Sequence, residues 1–214
     1  MLFRSLAVLA PHLPAEQQPA VYAEALAAAR TIDNEYRRSE ALAALAPHLP
    51  THLFAEALAA ARTIDNENWR SRALAVLAPH LPAEQQPAVY AEALAAARTI
   101  DNEDWRSEAL AALAPHLPPH LLADALAAAR AIEWWDFSRA KALAALAPHL
   151  AATPALDEQF VPTLRTLAQW GRPALLDDLR ALQPWLAALA ERRRQSTMLA
   201  ALATAISETG RCWP

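Results

Sequence analysis

A chain of 214 residues, 55% of them hydrophobic, can bury a sizeable core, but 17 prolines exclude a set of long uninterrupted helices. Ala and Leu dominate, β-branched residues are few and there are only two glycines, which predicts an all-α fold of many short helices. A formal charge of −4 excludes the basic footprint of nucleic-acid binding, and one cysteine, Cys212, excludes an internal disulfide.

The first apolar stretch, residues 1–9, is interrupted by Arg4 and stopped by Pro11. It falls short of the ~20 apolar residues of a membrane span. It also lacks the basic start of a secretion signal, so no membrane partner is expected and the cytoplasm is the expected compartment. Met1 enters directly at the first helix, as though the chain were cut from a longer array. Leu2, Phe3, Leu6 and Leu9 would then present an apolar face, and a weak homodimer through the first hairpin is expected.

From here the sequence repeats. "LAPHL" stands at 9–13, 45–49, 77–81, 113–117 and 146–150, in steps of 36, 32, 36 and 33 residues. Between the copies lies "AEALAAAR" at 23–30, 55–62 and 91–98, with "ADALAAAR" at 123–130; residues 13–35 and 81–103 are identical. A period of this length marks stacked supersecondary units. Each unit reads as two antiparallel helices. The first runs from about Trp69 to Leu81, buries Leu74, Leu77 and Leu81, is capped by Asp65 or Asn66, and ends or kinks at Leu77–Ala78 ahead of Pro79. The second runs from about Pro87 to Ile100 and buries Tyr90, Leu94, Ala97 and Ile100. One such hairpin cannot bury its apolar stripe alone, so copies stack. The expected fold is an α-solenoid of antiparallel helix hairpins over 1–150, about four and a half repeats of 32–36 residues.

After His149 the pattern stops. A helix from about Asp157, closed by Gly171 in a left-handed conformation, is followed by three more short helices in "RPALLDDLRALQ", "PWLAALAERRRQ" and "STMLAALATAISETG". Residues 151–214 read as a helical C-terminal cap.

The units "ALAALAPHLP…AEALAAARTIDNE…RS" resemble the Ala/Leu-rich helical repeats, similar to tetratricopeptide and HEAT arrays, found at the C-termini of bacterial, often cyanobacterial, STAND-type NTPases of the NACHT or NB-ARC sort. The closing "LATAISETGRCWP" resembles the end of such arrays, with Cys212 where an aromatic is expected. The Trp-x₂-Leu-Gly-x₂-Tyr signature of tetratricopeptide repeats is absent, since Trp69 is followed by Leu74. The resemblance implies a sensor or partner-binding role.

Candidate sites follow the repeats. His12, His48, His80, His116 and His149 suit the negative end of a helix; metal binding by His48 with His52, or His116 with His120, would need an unbroken helix that Pro50 and Pro118–Pro119 deny. Glu24, Glu56, Glu92 and Asp124 form one ladder and Arg30, Arg62, Arg98 and Arg130 another, expected as solvated or salt-bridged surface. Arg38, Arg70, Arg106 and Arg139 share a third register, with Trp69 and Trp105 beside them and Glu40, Arg72, Glu108 and Lys141 varying two positions on. These ten residues are the candidate binding face. The competing reading pairs the arginines with Glu35, Glu67 or Glu103 three residues earlier. "EWWDF" at 133–137 reads as packing at the junction to the cap, with an exposed hot spot as its alternative. "RRR" at 192–194 reads as a solvated helix end.

No unique nucleophile, carboxylate pair or phosphate loop stands out. The expected function is a non-catalytic protein- or peptide-binding module, the sensor or scaffold part of a larger bacterial signalling or defence protein. No cofactor, metal or nucleic acid is expected. The alternative is a structural or engineered array whose role is self-assembly.

Overall fold

The computed structural model describes residues 13–133 and 137–192. Leu2, Phe3, Leu6, Leu9, His12, Trp134, Trp135, Arg193, Arg194, Cys212 and the last helix expected in the cap, "STMLAALATAISETG", lie outside the described residues. Within them are eleven α-helices and no strand, an all-α architecture. The chain forms two compact units, residues 1–100 and 101–214.

Unit one holds α1 (Gln18–Arg30), α2 (Glu35–Leu45), α3 (Phe54–Arg62), α4 (Glu67–Leu77) and α5 (Gln86–Arg98). Helix α2 packs on α1, α3 and α4, and α4 packs on α3 and α5. The first helix of each hairpin starts at an asparagine. Asn34 and Asn66 accept from the N–H groups of Arg37 and Trp69 at 2.9 and 3.2 Å, each satisfying one orphan donor of the first turn. Asn66 is thus the cap, and Asp65 is not.

The expected end at Leu77 is found: α4 stops there and Ala78–His80 forms one 3₁₀ turn. The cause, though, is not the proline inside the motif. Ala78, which precedes Pro79, keeps helical angles, whereas Leu81, which precedes Pro82, is extended at ψ 158°. Leu49 before Pro50 and Leu117 before Pro118 are extended in the same way. Proline disfavours the helical region for its predecessor, and the proline after "LAPHL" exerts that effect here. The fifth copy is followed by Ala151, and its helix runs straight through Pro148 to Ala151.

The alternation of 36- and 32-residue steps also has a local cause. "PAEQQP" allows a 13-residue second helix, α1 or α5. The shorter "PTHLF" opens as a 3₁₀ turn at Thr51–Leu53 and leaves α3 nine residues, one turn fewer. Both kinds bury the same stripe: Ala25, Leu26 and Ala29 match Ala57, Leu58 and Ala61, with the four alanines at 0% exposure. Alanine lets helix backbones approach closely, and the buried leucines of α2 and α4 fill the remaining space.

Unit two holds α6 (Glu103–Leu113), α7 (Leu122–Arg130), α8 (Ser138–Ala151), α9 (Phe160–Leu167), α10 (Arg172–Ala181) and α11 (Gln183–Arg192). Helix α8 is its hub, packing on α6, α7, α10 and α11. Two expectations for the cap need correction. The segment at Asp157 is a 3₁₀ helix, Pro154–Gln159, with α9 starting only at Phe160. Gly171 is not left-handed helical but adopts φ 92° and ψ 169°, a region open to glycine alone. That glycine is needed for its backbone, since an added Cβ would meet nothing within 4 Å. Pro184 sits in the first turn of α11, where its missing N–H costs nothing.

Candidate binding face

The arginine register turns out to hold loops. A loop of sequence Thr-Ile-Asp-Asn leaves carbonyls without helical partners as one helix ends and the next begins. Arg38 Nε donates to the Ile32 carbonyl at 3.0 Å, and Arg70 Nη1 to those of Ile64 and Asp65 at 2.9 and 3.1 Å. Arg106 Nη2 reaches the Asp101 carbonyl at 3.5 Å, and Arg139 Nη1 that of Ile132 at 3.2 Å. In every case the guanidinium reaches back over the loop that leads into its own helix, and its fork of donors suits paired carbonyls.

The pairing expected three residues earlier is present once, at Arg70–Glu67, 4.0 Å. Glu35 and Glu103 are turned elsewhere. The Glu35 carboxylate accepts from the N–H groups of Asp65 and Asn66 at 2.7 and 3.0 Å, and Glu103 from that of Glu133 at 2.9 Å. Each loop is therefore held by an arginine of its own copy and, at these two sites, by a glutamate of the copy before.

Arg139 differs from the other three. It is 1% exposed, with Nη2 2.8 Å from Asp178 Oδ2 and Nε 3.0 Å from the same oxygen. Its guanidinium also lies 5.3 Å from the centre of the Trp170 ring. Burial pushes the Asp178 carboxyl up from its ordinary range, and Arg139 offsets only part of that. Asp178 was readable in principle, because an acid occupies the apolar stripe Leu175, Leu179, Leu182.

The varying neighbours of the arginines lie further out. In unit one, Tyr36 and Trp69 meet across α2 and α4 with ring centres 4.8 Å apart, and the Tyr36 hydroxyl donates to Glu40 at 2.7 Å. Arg72 is exposed. In unit two, Lys141 Nζ donates to Glu108 Oε1 at 3.0 Å, and the Ser138 hydroxyl donates to Asp104. Trp105 is 45% exposed and Phe137 66%. Phe137 does not join the core, contrary to the expectation for "EWWDF". It stands before α8 with φ 62°, a left-handed conformation costly for an aromatic residue. Asp104, Trp105, Ser107, Glu108, Phe137, Ser138 and Lys141 together line a cavity of about 320 Å³.

Tyr36 escaped the sequence reading, and Phe137 was read as junction packing and not as part of this register, because the aromatic moves by one place between copies. The helix starts read Glu-Tyr-Arg-Arg, Glu-Asn-Trp-Arg, Glu-Asp-Trp-Arg and Asp-Phe-Ser-Arg. Every copy thus carries one aromatic within the two places before its arginine, and that is the signal.

The other ladders are surface and packing. Arg30 meets Glu56 at 3.5 Å, and Arg62 grips Glu92 with two 2.8 Å bonds, which raise the arginine further above its ordinary pKa. With Arg70 this pair lines a cavity of about 400 Å³ over the alanines of α5. Arg130 bonds Thr163 at 3.3 Å, and burial lowers its pKa. His48 and His80 stack on Tyr22 and Phe54. His48 and His52 sit in separate 3₁₀ turns. Among the described residues no cluster of three His, Cys, Asp or Glu could hold a metal, and no helix is long and apolar enough to cross a membrane.

No protein-family model matches this chain, and neither a curated protein nor a solved structure does.

Proposed function

We propose that the chain is a non-catalytic binding module, an α-solenoid of about four and a half hairpins over 1–150 with a helical cap over 151–214, which presents the first turns of its leading helices to a protein or peptide. A sensor or scaffold role in a larger bacterial signalling protein fits this reading. One observation carries it. The positions that stay constant between copies are engaged in holding loops and neighbouring helices, while exposed aromatics gather at the positions that vary: Tyr36 at 41%, Trp105 at 45% and Phe137 at 66%. Scattered exposed apolar residues need no explanation, but aromatics returning to the same two adjacent places of a repeat do. Aromatic residues dominate binding hot spots because they bury much area with little loss of side-chain freedom.

Selection of peptides from a random display library on the whole chain tests the reading. Enriched peptides should lose about tenfold or more in affinity when Trp105 or Phe137 becomes serine, with melting unchanged. Peptides indifferent to both substitutions, or turnover in hydrolase and transferase screens abolished by one point change, would refute it.

A further inference from the structure

The cavity between the start of α6 and the start of α8 has a composition that selects its ligand. We infer that it receives a positively charged side chain, an arginine or lysine of a partner peptide, between the rings of Trp105 and Phe137. This rests on the binding-face reading above and narrows it.

Six observations converge. The two most exposed aromatics of the described residues, Trp105 and Phe137, both line the cavity, and an aromatic face attracts a cation through its quadrupole. Two carboxylates, Asp104 and Glu108, line it against one ammonium, Lys141, so the site carries a net charge of −1 from these three groups. The start of α6, which would otherwise draw an anion, already holds Glu103 and Asp104 in its first turn. At about 320 Å³ the cavity is at the small end for ligand sites, suited to a side chain and not to a cofactor. Phe137 combines a strained left-handed backbone with a ring left 66% exposed, where a core role would bury it. The chain's overall charge of −4 favours encounter with a basic partner.

Charge makes the inference testable with two substitutions at one ion pair. Glu108→Gln and Lys141→Gln both break the same exposed contact, so a structural role predicts equal, small effects on both. For cation binding they act in opposite directions. Removing Lys141 deepens the negative potential of the cavity, and removing Glu108 brings the net charge of these groups to zero. The full chain, labelled with 5-fluorotryptophan, is titrated with acetyl-Gly-Gly-Arg-Gly-Gly-amide and with its glutamine counterpart, the Trp105 resonance being assigned by Trp105→Phe. The Trp105 signal should shift saturably with the arginine peptide and bind the glutamine peptide at least tenfold more weakly. Lys141→Gln should tighten the arginine peptide about three- to tenfold and Glu108→Gln weaken it by a similar factor, as expected for one unit charge a few ångströms away in a partly screened site. An unmoved Trp105 signal, no preference for arginine, or two variants that shift affinity in the same direction would overturn the inference. Library-selected peptides that need Trp105 and Phe137 but carry no basic residue would overturn it and leave the binding-face reading standing. Peptides indifferent to both aromatics would overturn that reading itself.

Discussion

Arg139→Met separates the energetics of the buried arginine from those of its exposed relatives. The substitution keeps an unbranched apolar stem but removes the guanidinium from Asp178, Ile132 and Trp170. It leaves the Asp178 carboxylate, itself 1% exposed, without its cation. Breaking a buried pair from one side costs ~3–5 kcal/mol, because the remaining charge is neither solvated nor paired. For a unit of about one hundred residues that corresponds to a fall in Tm of about 12 °C or more. The loss should also depend on pH. In the native chain the folded pKa of Asp178 stands above its unfolded value, so this group's contribution is complete below the unfolded pKa and is lost as pH rises through the folded one. Without Arg139 the folded pKa rises further, the window widens upward, and the variant suffers most at neutral pH and least in acid. Hydrogen exchange of α8 and α10 amides at pH 7 and pH 4 measures this within unit two alone. The double variant Arg139→Met, Asp178→Leu should recover most of the loss, since an apolar pair of similar volume can replace a buried ion pair. A single variant that loses under 1 kcal/mol at pH 7, or a double variant no better than the single, would refute the argument.

Three further outcomes follow from the repeats. Ser39, Ser71 and Ser107 are buried with hydroxyls that have no hydrogen-bond partner, and the fourth copy already carries Ala140 there. Replacing all three by alanine should hold or raise the melting temperature, and a loss above ~1 kcal/mol per site in urea melts would contradict the assignment. Asn66→Ala should cost ~1 kcal/mol and Asp65→Ala under ~0.5, because only Asn66 caps α4; equal losses in thermal melts would show that the cap is shared. Arg70→Ala should cost ~1.5–2 kcal/mol, since charged donors to two loop carbonyls are lost at a partly exposed site, against under ~0.5 for exposed Arg72→Ala. Denaturant midpoints that do not distinguish Arg70 from Arg72 would remove the loop-holding role.

The helices and their buried stripes were legible because Leu74, Leu77, Tyr90, Leu94 and Ala97 recur at helical spacing, and all of them are buried. Helix ends were legible only in outline. Proline was rightly expected to end α4 at Leu77, but the fifth copy shows that Pro82, Pro50 and Pro118 do the work, through a rule about the preceding residue that "LAPHL" alone hides. The arginine ladder was visible as a register and opaque as a role. Its true acceptors are backbone carbonyls, which every residue carries and no sequence pattern marks. Asp178 lies 39 residues from Arg139, and that pairing depends on how α10 is laid against α8. Phe137 was expected in the core on its apolar character, but it stands in a turn with positive φ and its ring is exposed, and no hydrophobic pattern marks either.

The central claim is that partners dock on the varying first turns of the leading helices, and a hydrogen-exchange footprint of a library-selected peptide bound to the whole chain tests it most directly. Protection is predicted at the first turns of α2 and α4, or of α6 and α8, around Tyr36, Trp69, Trp105 and Phe137. Protection confined to the alanine-rich second helices α1, α3, α5 and α7 would contradict it.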